Sequence, residues 1–200
     1  MKKIYLIMMI GSMLLTVACK KDTKSNDGSS DADANTEVKE TIIDNPTTSE
    51  DAKVLVQLEP KSNSNVSGNV VFKQENGIVT MTAVMSGLKE GMHAIHLHEK
   101  SDCSSADGTS TGGHWNPTAQ PHGKWGDAAG YHKGDIGNFT ADANGNGIIT
   151  HVTKEWCIGC GDPQKDIMGK AVIIHEGIDD FKTQPTGDAG GRVSCGAVIQ

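Results

Sequence analysis

The chain has 200 residues, a formal net charge of −7, 24 glycines and only 4% aromatic residues. That length leaves room for one domain of about 150 residues plus extensions. Frequent glycine and scarce aromatics favour strands joined by turns over a helix bundle, and the acidic balance argues against nucleic acid and against direct adsorption to anionic lipid.

The chain opens as a targeting segment. Lys2 and Lys3 form a basic start, Ile4 to Val17 an apolar run too short to read as a membrane span, and Thr16-Val17-Ala18-Cys19 a small-residue cleavage site. This predicts a signal peptide over residues 1–18 and a mature chain beginning at Cys19. Cys19 stands where a bacterial lipobox places its lipid-modified cysteine, although Leu15 lies one place early and Thr16 sits where a larger aliphatic residue is commoner. A plain signal peptide is the alternative, but a stray cysteine at a cleavage site is unusual in an exported chain. Residues 19–50 are mostly Lys, Asp, Ser, Thr, Asn and Glu with little to bury, the composition of a disordered tether. The expected layout is an acyl anchor in a lipid bilayer, a leash, and a domain over residues 51–200. Its expected location is an extracytoplasmic, bacterial cell-envelope one, on the periplasmic face or the cell surface.

Eight strands follow, over residues 53–58, 66–73, 78–85, 92–99, 136–140, 148–153, 170–175 and 193–199. Asn76-Gly77 and Asn144-Gly145-Asn146-Gly147 are hairpin signals between neighbouring strands. Two long connections, about 101–134 and 176–191, break the rhythm, and loops of that length inside a compact domain are usually functional. The fold class expected is all-β: an eight-stranded Greek-key sandwich or barrel, immunoglobulin-like, carrying two functional loops.

Between residues 93 and 192, seven of the eight histidines, one aspartate and one arginine fall in an order that reads as a two-metal site. In His93-Ala94-Ile95-His96-Leu97-His98 the two-residue period of a strand puts His96 and His98 on one face, roughly 7 Å apart. His114 follows Gly112-Gly113, His122 follows Pro121, His132 and Asp135 share Tyr131-His132-Lys133-Gly134-Asp135, and His175 ends the apolar run 171–174. A lone histidine is most often a surface or core residue. Seven in this register are hard to explain by solvation, and imidazole suits copper and zinc, whereas magnesium and calcium want oxygens. His151 fits no part of the pattern and is expected on the surface of its strand.

These segments, together with Gly187-Asp188-Ala189-Gly190-Gly191-Arg192-Val193-Ser194-Cys195-Gly196, resemble the copper/zinc superoxide dismutase family from about residue 52 to the end. The resemblance implies a Greek-key sandwich, of which this family is a standard example. It implies copper held by His96, His98, His114 and His175, and zinc held by His114, His122, His132 and Asp135, with His114 bridging the two. Asp179 would link a copper histidine to a zinc histidine, and His93 would be structural. Arg192 would pair with superoxide, the substrate, and Thr186 would line the same mouth. The implied activity is disproportionation of superoxide to dioxygen and hydrogen peroxide; the alternative is an extracytoplasmic copper-binding or carrier domain without turnover. A homodimer is compatible with the resemblance.

With Cys19 set aside, Cys103, Cys157, Cys160 and Cys195 allow three pairings, of which the resemblance selects Cys103 with Cys195. Cys157 and Cys160 lie outside the family pattern. A redox dithiol, a third metal site and a small structural disulfide compete there, and the turn-like flanks Trp156, Gly161 and Pro163 favour the disulfide. Ala94, Ser101 and Pro185 also depart from the family. The last stands where many relatives carry a lysine, a role that Lys182 could fill.

Overall fold

The structure, a computed structural model, describes residues 51–200. The signal peptide and tether expected over 1–18 and 19–50, and Cys19 with them, lie outside the described residues. Eight strands are present: β1 (Ala52–Pro60), β2 (Ser67–Glu75), β3 (Ile78–Ser86), β4 (Gly91–His98), β5 (Gly137–Ala141), β6 (Gly147–Thr153), β7 (Ala171–His175) and β8 (Arg192–Ala197). Each expected strand is found, with ends displaced by up to two residues. Among the described residues the one helical element is a short 3₁₀ turn, Thr109–Thr111.

The strands close into an antiparallel barrel in the order β1-β2-β3-β6-β5-β4-β7-β8. Pairing of Glu59 with Cys195 and of Pro60 with Ser194 completes the ring, so no strand is left with a free edge. Alternation explains most of it. Val54, Val56 and Leu58 of β1, Val70 and Phe72 of β2, and Val79, Met81, Ala83 and Met85 of β3 point inward and are buried. Asn76 and Gly77, at φ of 50° and 74°, make the two-residue turn that joins Glu75 to Ile78.

β4 and β7 break the alternation. From His93 to His98, and throughout Ala171–His175, every residue is buried. One face of each, with Ile95, Leu97, Val172 and Ile174, joins the barrel core. The other face lies under the two long loops. The β4–β5 loop is bonded along β4: Leu97 N–H donates to Gly134 O at 2.9 Å, Trp115 N–H to Leu97 O at 2.8 Å, and Glu99 N–H to Gly113 O at 3.0 Å. The β7–β8 loop is held by Ala94 N–H donating to Gly177 O at 2.8 Å. The Cys103–Cys195 disulfide ties the first loop to β8.

His151 is not a surface residue. Along β6 the exposed positions are Ile148, Thr150 and Val152, so strand parity turns His151 inward, opposite the fully buried Met81. Its ring packs against Trp125 (centroids 4.4 Å apart) and Trp156 (5.0 Å) at one end of the barrel, and its buried Nε2 has no hydrogen-bond partner. Burial lowers its pKa to about 4. The unfolded chain therefore binds a proton there below about pH 6.5 that the folded chain refuses until about pH 4, so this residue costs stability as pH falls through that window. His151→Phe, compared with wild type by denaturant unfolding at pH 7 and pH 4.5, should flatten the acid-side loss of stability. An unchanged pH dependence would show that His151 titrates freely in the folded protein.

Candidate metal centre

The residues singled out by their order along the chain meet on the outer face of β4 and β7. β4 presents His96 and His98, β7 ends on His175, and the β4–β5 loop folds back so that His114 forms an isolated bridge with His98. Ring centroids of His96 and His114 are 3.9 Å apart, those of His98 and His114 5.0 Å, and those of His96 and His175 4.9 Å. Donor atoms of His96, His98, His114 and His175 form one cluster, and those of His114, His122, His132 and Asp135 a second, all within 4.8 Å inside each set. His114 alone belongs to both.

Hydrogen bonding decides which nitrogen of each ring is free. His96 Nε2–H donates to Asp179 Oδ2 at 2.9 Å, His98 Nδ1–H to Gly112 O at 2.9 Å, and His175 Nδ1–H to Gly190 O at 3.3 Å. The opposite nitrogens, His96 Nδ1, His98 Nε2 and His175 Nε2, are buried without a partner, as is His114 Nε2. Four lone pairs thus converge on one point. Such anchoring of the far nitrogen fixes tautomer and ring orientation for a metal ligand.

The second cluster is built round a carboxylate. Asp135 Oδ1 lies 2.8 Å from His114 Nδ1 and 3.2 Å from His132 Nδ1, and Oδ2 lies 3.0 Å from His122 Nδ1. Metal–ligand bonds of 2.0–2.1 Å in a tetrahedron give ligand–ligand edges of about 3.3 Å, so these spacings are close to those of three nitrogens and one oxygen round one zinc-sized ion. Asp135 Oδ2 is oriented by N–H groups of His132 (2.8 Å) and Gly123 (3.1 Å). Asp179 spans the two clusters, since its Oδ1 accepts from His122 Nε2–H at 2.8 Å while Oδ2 accepts from His96. The loop can approach so closely because residue 187 is glycine: a Cβ there would stand 1.9 Å from Asp179 Oδ1 and 2.6 Å from His122 Nε2.

The two pockets differ electrostatically. Burial pushes His98 and His175 well below the ordinary histidine value, lowers His96, and takes His114 to about 4 despite its bond to Asp135. These rings are neutral at physiological pH, the form that binds a metal. Around Asp135 and Asp179 burial opposes ionisation, but the histidines bonded to them prevail and hold both carboxyls far below the usual range. At His122 burial is likewise outweighed by bonds to Asp135 and Asp179, and its pKa rises to about 9. One pocket is neutral imidazole; the other carries anionic charge.

Comparison with known proteins agrees with this chemistry. The family model for copper/zinc superoxide dismutase (SODC) matches residues 66–198. The chain belongs to the copper/zinc superoxide dismutase family. The cofactors are accordingly copper and zinc, and the two donor clusters fit them. Among solved structures, a double mutant of a SOD-like protein from Bacillus subtilis is similar at 30% identity and a TM-score of 0.65, covering 73% of this chain and 97% of that one. The clock protein EA4 is similar at 34% identity and a TM-score of 0.64, covering 74% of this chain and 93% of the other.

The remaining family positions are also placed. Arg192, at the start of β8, donates from Nη1 to Gly108 O and to Thr111 Oγ1, both at 2.8 Å, and its charge contributes to the lowered pKa of His98 and His175. His93 lies apart from both clusters, with ring nitrogens 3.0 Å from His175 O and 2.9 Å from Lys89 O, a structural position. Thr186 is half-buried, one residue before Gly187.

Four further side chains hold the site and escaped sequence reasoning. Gln184 brackets His122, accepting its N–H and donating to its C=O, both at 2.9 Å. Asn138 of β5 brackets the backbone of Asp179 in the same way. Glu155 accepts from Tyr131 Oη–H at 2.6 Å and pairs with Lys133, while Trp156 Nε1–H donates to Lys133 O at 2.9 Å. Both Glu155 and Trp156 thus clamp the His132 turn from the β6–β7 connection. Asp179→Asn keeps the size of the side chain but loses its charge and one acceptor oxygen. It should weaken zinc retention about 10–100-fold in a chelator competition while leaving the circular dichroism of the barrel unchanged; undiminished retention would show that Asp179 does not support the site.

Proposed function

We propose that this protein disproportionates superoxide to dioxygen and hydrogen peroxide, with copper in the four-imidazole pocket and zinc in the pocket of His114, His122, His132 and Asp135. The observation that carries this reading is the sharing of His114 between two complete donor sets, beside an anchored arginine. A copper carrier without turnover needs neither feature. Copper held by His96, His98, His114 and His175 would supply the one-electron couple on which both halves of the cycle draw, and zinc held by His114, His122, His132 and Asp135 would be structural.

The chain supplies the rest. Arg192, held through Nη1, keeps its other guanidinium N–H groups for an anion, and its charge does not depend on pH in any working range. Thr186 lines the same approach. His114, oriented by Asp135 at Nδ1, has Nε2 to hold a proton in one half-reaction and to deliver it to the reduced substrate in the other. Two superoxide anions and two protons then give one dioxygen and one hydrogen peroxide. Because the formal charge of the chain is −7, approach of an anion depends on the local field of Arg192 more than on the molecule as a whole.

The direct test is metal content with superoxide consumption on the purified protein. About one copper and one zinc per chain with fast consumption is the expected result; full metal without consumption would leave a metal-binding domain only. Arg192→Ala should slow turnover with metal content unchanged, and Arg192→Glu should slow it further. Wild-type turnover should fall as ionic strength rises. Equal rates in all three proteins would remove Arg192 as the guiding group.

We further propose that the mature chain begins at a lipid-modified Cys19 and is tethered to a bacterial cell-envelope membrane. The support is the basic start at Lys2 and Lys3, the short apolar run, and the cysteine at the cleavage position. Cys19→Ala should release the protein from the membrane fraction or block its processing; a wild-type protein found soluble and cleaved elsewhere would end this assignment.

A further inference from the structure

Cys157 and Cys160 form a disulfide in the β6–β7 connection and belong to neither histidine cluster. The turn that carries them is closed without that bond. Cys157 N–H donates to Lys165 O at 2.8 Å and Ile167 N–H to Cys157 O at 3.0 Å. The Asp166 carboxylate accepts N–H groups of Gly159 (2.9 Å), Gly161 (2.8 Å) and Met168 (3.0 Å), and Ile158 N–H donates to Gln74 of β2 at 2.9 Å. Trp156, fully buried, roots the turn in the core.

A bridge with a sequence separation of 3 also restrains the unfolded chain far less than one with a separation of 92, because loop entropy grows with loop length. Cys160 is exposed, Cys157 half-buried, and the partner Cys195 of the other bridge fully buried. The Cys157–Cys160 bond is thus the accessible one, and the fold does not hang on it. An exposed disulfide of that kind is open to thiol exchange.

The sulfurs and a carboxylate oxygen of Asp166 lie within 4.8 Å of one another, and Asp162 N–H already points at Cys160 Sγ from 3.5 Å. We propose that the reduced Cys157/Cys160 pair is a third metal site that takes copper(I), and that the disulfide is its closed state. Opening follows ordinary exchange: an external dithiol gives two electrons and two protons to the S–S bond and is itself oxidised to a disulfide. Two thiols result. Copper(I) then replaces both protons and is held by two thiolates.

Thiolate softness selects copper(I), for which two sulfur ligands suffice, whereas zinc wants four donors. Asp166 is poorly placed to make up that number, since both of its oxygens already accept backbone N–H groups. It acts as the post on which the turn is wound. Lys53, Lys154 and Lys165 line the same open groove together with Asp51 and Asp162.

The test uses the whole protein carrying its copper and zinc. Graded reduction followed by alkylation and peptide mass mapping should open Cys157–Cys160 before Cys103–Cys195. Protein reduced to that point, offered copper(I) against a chromogenic copper(I) chelator, should take up about one extra equivalent per chain. The oxidised protein, the protein alkylated at both thiols and Cys157→Ser/Cys160→Ser should take up none, and the alkylated sample keeps the comparison meaningful if the double variant folds poorly. Asp166→Asn, which keeps one acceptor oxygen to wind the turn, should still take up the extra equivalent of copper(I). No extra uptake, uptake that survives alkylation, or simultaneous opening of both bridges would overturn the proposal. Equal uptake of zinc, with a loss of about tenfold or more in Asp166→Asn, would overturn the choice of copper(I).

Discussion

Four buried ring nitrogens without a hydrogen-bond partner, on His96, His98, His114 and His175, are the constraint on which the rest of the molecule depends. A buried polar atom left unsatisfied costs on the order of 1–3 kcal/mol, and a native fold does not collect four in one place without a ligand to take them. Everything that surrounds them keeps them in that condition. The far nitrogens are tied to Asp179, Gly112 and Gly190, the loops shut water out, and β4 and β7 are buried on both faces to support the arrangement. Metal ions convert this cost into binding energy, so loading of the site and stability of the fold are coupled.

The division of charge follows from the same geometry. Rings that lack an acid within reach, His98 and His175, are kept neutral by burial, while His122 sits between two carboxylates and is the one whose proton affinity rises. His114 faces both ways, toward Asp135 through Nδ1 and toward the neutral rings through Nε2. Its position at the seam explains why one residue serves two pockets of different electrostatic character.

Much of this was legible in the sequence because the informative signals are local. Strand period put His96 and His98 on one face, Asn76-Gly77 marked a hairpin, and unusually long gaps between strands marked the loops that carry ligands. The ligand sets came from resemblance on short motifs, and the Cys103–Cys195 pairing likewise. What could not be read depends on tertiary contact. Gln184, Asn138, Glu155 and Trp156 reach their partners across 22 to 62 positions of sequence and belong to no short motif. His151 was misplaced for a simpler reason: the parity of β6 is set by where Gly147 pairs with Met85 and Ala141, and an alternating run of Ile, Thr, His and Val does not announce which face is inner.

The closed ring of strands has a consequence for how such a protein can be made. A chain that takes up two ions has to persist as a folded protein before either one is bound. Eight strands paired all the way round offer no open ladder for another copy to extend, and a barrel joined by backbone bonds from β1 to β8 needs no ion to close it. The metal-binding side chains outside the strands sit on the β4–β5 loop. The fold thereby separates survival from activation: a waiting chain is shielded from polymerising edge to edge, and metal binding is confined to one face of a finished scaffold.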